Sequence, residues 1–246
     1  MVIPLIEFGA NDPLFHMKND LKDKVVLITG ASKGIGFSDA KLFLKQGAKV
    51  AFCGLLKHEV EKAKNELVKY GEVFAKTVDV RKKKEIQRFA RQVISLYGRV
   101  DILVNNAGIL PRRGDFSKNR FSQINDTIDT NLKGALFMTR AVLGCMLAVK
   151  SGVIINMSSE AGLEGYSEMA IYCATKFGIR GFSEALHEEL SDKGIKVYVI
   201  CPGAVKTGMN AKFTGEKAIG IPPEKVAELV VDIATNLPES KRCFEI

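Results

Sequence analysis

Apolar positions along this chain follow two rhythms that take turns. The segment KVVLITG at 24–30 is a continuous apolar run ending in glycine, the pattern of a parallel strand covered on both faces, and a stretch with helical spacing follows it. The same alternation predicts further strands at 48–53, 72–78, 100–105, 152–157, 195–200 and 242–246. Between them it predicts helices near 57–70 and 83–97, a long one beginning near Asp126, one over 171–191 and one from Pro223. Strands that alternate with helices build a parallel sheet with helices on both faces. Right-handed crossovers then favour the doubly wound α/β arrangement, in which ligands bind at the carboxyl ends of the strands where strand order reverses. No repeat, low-complexity tract or linker interrupts the pattern. Residues 21–246 therefore read as one domain of about seven strands, preceded by a non-catalytic extension at 1–20.

Composition narrows the function classes. With 46% hydrophobic residues in 246, the chain can bury a sizeable core. The net charge of +8 arises from 36 basic and 28 acidic residues, and its densest run, Arg81-Lys82-Lys83-Lys84, reads as a solvated face. Aromatic residues are sparse near that run and no zinc spacing accompanies it, so neither nucleic acid nor a metal is expected. A positive field does suit a polyanionic cofactor or an acidic partner. Five cysteines, odd in number and widely spaced, point to a reducing, cytoplasmic setting. No uninterrupted apolar run reaches the ~18 residues of a membrane span, and the first twenty residues lack the features of a signal or transit peptide. No membrane association is expected.

The loop TGASKGIG at 29–36 joins the first strand to the first helix. Gly30 permits the tight turn, Gly34 lets the backbone approach a pyrophosphate, and Gly36 allows close packing of helix on strand. Ser32, Lys33 and Ile35 complete a loop whose helix N-terminus offers unpaired N–H groups to an anion. Further on, Tyr172 and Lys176 in YCATK stand at i and i+4 and share a helix face, where an ammonium can stabilise a phenolate. Ser159, near the end of the preceding strand, supplies a second hydroxyl, with Ser158 as the alternative.

These motifs resemble those of the short-chain dehydrogenase/reductase family, in order: TGxxxGxG, NNAG at 105–108, Asn131 in TNLKG, Ser159 in NMSSEAG, Tyr172 and Lys176, and PGAVKT at 202–207. The resemblance spans about residues 22–236 and implies a Rossmann-type sheet and an oxidoreductase that interconverts a small-molecule carbonyl and a secondary alcohol. By resemblance, Tyr172 is the general acid/base, Ser159 polarises the substrate oxygen, Lys176 lowers the tyrosine pKa and binds the nicotinamide ribose, and Asn131 holds a relay water. Asp79 would accept from the adenine amino group, with Val80 beside it, while Asn106, Ala107 and Gly108 line the cofactor. After the Pro202-Gly203 turn, Val205 and Thr207 would meet the nicotinamide carboxamide. Asn105 reads either as a structural amide or as part of that lining. The family further implies a homodimer or homotetramer built on the long helix and the Tyr172 helix.

The second strand ends in VAFCGLLK with no acid, so a ribose 2′-OH lacks its usual acceptor and a 2′-phosphate meets no carboxylate there. Lys33 is the candidate phosphate ligand, which predicts NADP(H) over NAD(H). Leu55 stands where a second basic residue is common in NADP-preferring members, and Lys57 or His58 is the nearest substitute. Tyr166 and Met169 are candidate substrate walls, Met209 and Phe213 a candidate lid, and Arg112-Arg113 a candidate grip for an acidic group. One specific form of the activity is 3-oxoacyl-carrier-protein reduction; the rival is a dinucleotide-binding sensor or scaffold without catalysis.

Overall fold

A computed structural model describes residues 21–214, 218–239 and 241–246. The expected extension at 1–20 lies outside the described residues. In chain order the elements are β1 (Val25–Thr29), α1 (Gly34–Lys45), β2 (Lys49–Gly54), α2 (Lys57–Leu67), β3 (Val73–Thr77), α3 (Lys83–Tyr97), β4 (Ile102–Asn105), α4 (Phe121–Ile128), α5 (Gly134–Val149), β5 (Gly152–Met157), α6 (Ala170–Leu190), β6 (Ile195–Cys201), α7 (Gly208–Thr214), α8 (Pro223–Asn236) and β7 (Cys243–Glu245). All strand pairs are parallel, and the sheet order is β3-β2-β1-β4-β5-β6-β7. The order reverses between β1 and β4. Thr29, the last residue of β1, is flanked by Cys53 on one side and Asn105 on the other, so the glycine loop leaves the sheet at that reversal.

The alternation within each strand sorts the two faces. Val26 and Ile28 of β1, with Val50 and Phe52 of β2, pack beneath α1 and α8, where Phe43, Val226 and Val230 are fully buried. Val25, Leu27, Ala51 and Cys53 point to the opposite face and meet Ile86 and Phe89 of α3 and Met138 and Val142 of α5. A sheet covered on both faces is why the strand sequences read as unbroken apolar runs rather than alternating ones. Within α1 one acid defies this pattern. Asp39 is fully buried, and neither carboxylate oxygen has a hydrogen-bond partner among the described residues.

Three elements differ from the sequence reading. The long helix starts at Phe121 rather than Asp126, and a π turn over Asp129–Lys133 joins α4 to α5. A π turn adds one residue to the helical repeat, and here it faces Asn131 inward. The resulting helix, Phe121–Val149, is long and apolar enough by length and composition to cross a membrane, although Lys133 and Arg140 interrupt its sequence. One of its faces packs on the sheet through Met138, Val142 and Met146. Finally, α7 forms within the stretch after Thr207, where no periodicity announced it.

Candidate active site

The sheet reversal opens into a cleft of about 590 Å³. Its floor is the glycine loop. Gly30 adopts φ +71, and a Cβ there would come within 2.8 Å of the Ala107 Cα. A Cβ on Gly36 would sit 2.4 Å from the Asn106 side-chain nitrogen. The Asn106 amide in turn donates to the carbonyls of Thr29 and Gly30, both at 3.0 Å, so the NNAG segment clamps the loop. Gly34 adopts φ +61, and a Cβ there would lie 3.4 Å from the Thr207 methyl. No side chain caps the N-terminus of α1, and its first turn contains no acid, which leaves backbone N–H groups available to an anion. Bare glycines, an uncapped helix end and a long cleft fit a pyrophosphate-linked dinucleotide.

Lys33, Ser32, Ile35, Asp79, Val80, Ala107, Gly108, Pro202, Gly203, Val205 and Thr207 all line this cleft, together with Gly30, Gly34 and Asn106. Gly36 does not line it and acts in helix packing instead. Asn105 is structural: its amide donates to Thr139 at 2.9 Å and Asn156 at 2.8 Å, tying β4 to α5 and β5. The turn at Pro202-Gly203 is held by Glu160 N–H donating to the Pro202 carbonyl at 2.9 Å and by Gly203 N–H donating to Ile246 at 2.8 Å.

At the other end of the cleft stand Ser159, Tyr172 and Lys176. The Ser159 hydroxyl accepts from Ala161 N–H at 3.2 Å and neighbours the Tyr172 hydroxyl. Ser158 is buried and donates to the Lys176 carbonyl at 2.9 Å. Burial pushes the Tyr172 phenol up to about 12, and the neighbouring Ser159 opposes that shift. Lys176 is fully desolvated, which pulls it down to about 8. Its ammonium donates to the Met157 carbonyl at 2.8 Å and lies 5.5 Å from the centre of the Tyr172 ring.

Desolvation dominates at Tyr172, so its phenol keeps its proton. The Asn131 side chain is buried and does not line the cleft. It accepts from Ile109 N–H at 2.7 Å and donates to the Ile109 carbonyl at 2.9 Å and Thr175 at 3.3 Å, so the amide braces the loop after NNAG.

Among the cleft residues that sequence alone does not assign to the site are Arg81 and Glu59. Arg81 belongs to the run taken as a solvated face, yet its guanidinium grips both Asp79 oxygens, at 2.9 and 2.8 Å, and reaches Asp126 at 2.7 Å. That contact holds the Asp79 carboxyl below its usual range. Glu59, in the first turn of α2, enters the cleft beside Lys33 with an oxygen 2.6 Å from the ammonium. The signal for Glu59 was helical phase: one turn past Leu55 returns the chain to the cleft. Tyr166, Met169 and Met209 also line the cleft, as does Arg113, whereas Arg112 does not. The Phe213 side chain lies outside the described residues.

A switch-point cleft with a bare glycine loop at one end and a serine, tyrosine and lysine at the other defines the dinucleotide-dependent oxidoreductase class. The short chain dehydrogenase family profile matches residues 24–218. The chain is 39% identical over 238 residues to an uncharacterized oxidoreductase of Staphylococcus saprophyticus, covering 92% of this chain and 96% of that protein. It is 35% identical over 232 residues to the 3-oxoacyl-[acyl-carrier-protein] reductase FabG of Chlamydia muridarum, covering 89% and 93%. Among solved structures, the 3-ketoacyl-(acyl-carrier-protein) reductase of Brucella melitensis complexed with NADH superposes with a TM-score of 0.83 at 27% identity, over 92% and 97% of the two chains. The chain belongs to the short-chain dehydrogenase/reductase family. It is an enzyme acting on CH–OH groups of small molecules with a nicotinamide dinucleotide.

Proposed function

We propose that this enzyme reduces a carbonyl to a secondary alcohol with NADPH, and that Tyr172 is its proton donor. The observation that carries the reading is the meeting of Ser159, Tyr172 and Lys176 on the wall of the cleft that also contains the glycine loop. When bound, the nicotinamide supplies the hydride. The loop backbone and the N-terminus of α1 hold the pyrophosphate, and the segment from Pro202 to Thr207 borders the nicotinamide end. Ser159 donates a hydrogen bond to the substrate oxygen, and Tyr172 gives that oxygen its proton. A phenol pushed up to about 12 keeps its proton at neutral pH, so it has one to give to the substrate oxygen. Lys176 faces the ring as a buried cation and stabilises the phenolate left behind. Asn131 positions Ile109 at the substrate end.

A pH profile checks the role of Lys176. Its depressed pKa means that the charged form persists only below about 8. The kcat/KM for reduction is therefore expected to be level below that pH and to fall above it. A profile flat to pH 10 excludes the lysine charge from the mechanism.

NADPH preference rests on Lys33, which lines the cleft, and on the apolar Leu55 and Leu56 that replace an acid at the end of β2. Lys33→Ala should lower kcat/KM for NADPH about tenfold, the worth of one charged contact, and leave NADH nearly unchanged. Steady-state rates with both cofactors check this, and an equal loss for both contradicts it. Given the Chlamydia relative, a 3-oxoacyl thioester is the first substrate to assay.

Self-association follows from the helices. The helix Phe121–Val149 exposes Phe121, Leu147 and Val149, and Phe177 of α6 is also exposed. A second copy covering these surfaces gives a homodimer or homotetramer. Sedimentation velocity should detect it, with Phe177→Glu shifting mass toward the monomer; a wild-type monomer at micromolar concentration contradicts it.

A further inference from the structure

The end of β2 is pressed against the glycine loop. A Cβ on Gly54 would lie 3.0 Å from the Ser32 hydroxyl and 3.0 Å from a Val60 methyl. A ligand group running along Gly54-Leu55-Leu56 therefore lies next to whatever the loop and the first turn of α2 present. The loop presents Lys33, the N-cap residue of α1, and α2 presents Glu59. The two are joined by an ion pair of 2.6 Å, with Lys33 62% exposed and Glu59 25% exposed. Leu55 and Leu56, exposed between them, offer no polar group from their side chains. Arg81, which also lines the cleft, is committed to Asp79 and Asp126 on the β3 side, and Lys57 and His58 do not line the cleft.

We infer that Glu59 sets the cofactor selectivity of this enzyme, by competing with a 2′-phosphate for Lys33 and by offering its carboxylate to a ribose 2′-hydroxyl. The inference rests on the reading of Lys33 as the phosphate ligand. Ion pairs at exposed positions are weak, so a dianionic phosphate can take the ammonium from Glu59. The displaced carboxylate stays nearby and repels the phosphate, while the same carboxylate is an acceptor for a hydroxyl. The acid that the sequence lacks at the end of β2 is thus supplied one helical turn later. Its partner cation makes the pair a two-way selector: Lys33 favours the phosphate and Glu59 the hydroxyl.

The test titrates 2′,5′-ADP and 5′-AMP, which differ only in the 2′-phosphate, into four proteins by calorimetry: wild type, Lys33→Ala, Glu59→Gln and Glu59→Lys. Removing one repelling charge should tighten 2′,5′-ADP about tenfold in Glu59→Gln, and charge reversal should tighten it further. Binding of 5′-AMP should stay level or weaken in both. The kcat/KM ratio for NADPH over NADH should rise in the same order. If Lys33→Ala weakens 2′,5′-ADP but both Glu59 variants stay within twofold of wild type, the Glu59 inference is overturned and the Lys33 reading stands. If Lys33→Ala also leaves 2′,5′-ADP unchanged, the Lys33 reading fails and the inference with it.

Discussion

Tyr172→Phe should leave NADPH affinity within a few-fold of wild type and lower kcat by about 10²–10⁴, the span typical of a lost general acid. The two side chains differ by one hydroxyl, and the ring is the part that packs. Tyr172 is 9% exposed and sits in a small apolar cluster with Ala161 and Cys173, against Leu110, Tyr166 and Met169. Phenylalanine preserves those contacts, so stability should change little. What is lost is the hydroxyl that neighbours Ser159 and keeps its proton at neutral pH. Ser159→Ala removes that neighbour only and should cost less; the double variant should be little worse than Tyr172→Phe, because residues acting as a unit are not additive. Fluorescence titration of NADPH and single-turnover rates separate binding from chemistry. A Phe variant that retains a tenth of the activity removes Tyr172 from the mechanism.

Asp39→Leu should stabilise the fold by roughly 1–3 kcal/mol at pH 7, against the usual direction of core substitutions. The carboxyl is fully buried in α1 and neither oxygen has a partner among the described residues, so it carries desolvation with no compensating bond there. Leucine replaces both oxygens with methyl groups in a similar branched shape. Burial holds the Asp39 pKa well above the ordinary 3.8, which fixes the sign of the pH dependence. The folded protein favours the neutral acid and the unfolded chain ionises at its ordinary value. The stability of the neutral acid is therefore complete below about 3.8 and is lost as pH rises toward the folded pKa. The gap between variant and wild type should widen with pH. Urea midpoints at pH 5, 6 and 7 measure that gap; a constant gap, or a less stable variant, shows that Asp39 finds a partner.

Much of this was legible in the chain. The continuous apolar strands announced a sheet covered on both faces, and glycines at 30, 34 and 36 announced the loop between β1 and α1. The i, i+4 spacing put Tyr172 and Lys176 on one face of α6. What stayed hidden depended on angle or on burial. The π turn that rotates Asn131 inward has no local signature, because Asp129–Lys133 reads as ordinary helix. Spacing brought an ammonium near an aromatic ring but could not weigh that attraction against the desolvation of both groups, and desolvation wins. Arg81 looked like the start of a basic run, and only the fold brings Asp126 of α4 beside β3 to receive it. Glu59 is hidden because it lies in the first turn of α2, past the strand end where such an acid usually stands.

The central claim is that this cleft reduces carbonyls through Tyr172. Its most direct measurement follows NADPH absorbance with purified enzyme against a panel of carbonyl compounds that includes a 3-oxoacyl thioester, an acetoacetyl ester, a cyclic diketone and a keto sugar. Consumption of NADPH with at least one of them, abolished in Tyr172→Phe, is the predicted result. Tight NADPH binding with no turnover of any carbonyl would contradict it and leave a dinucleotide-binding protein without catalysis.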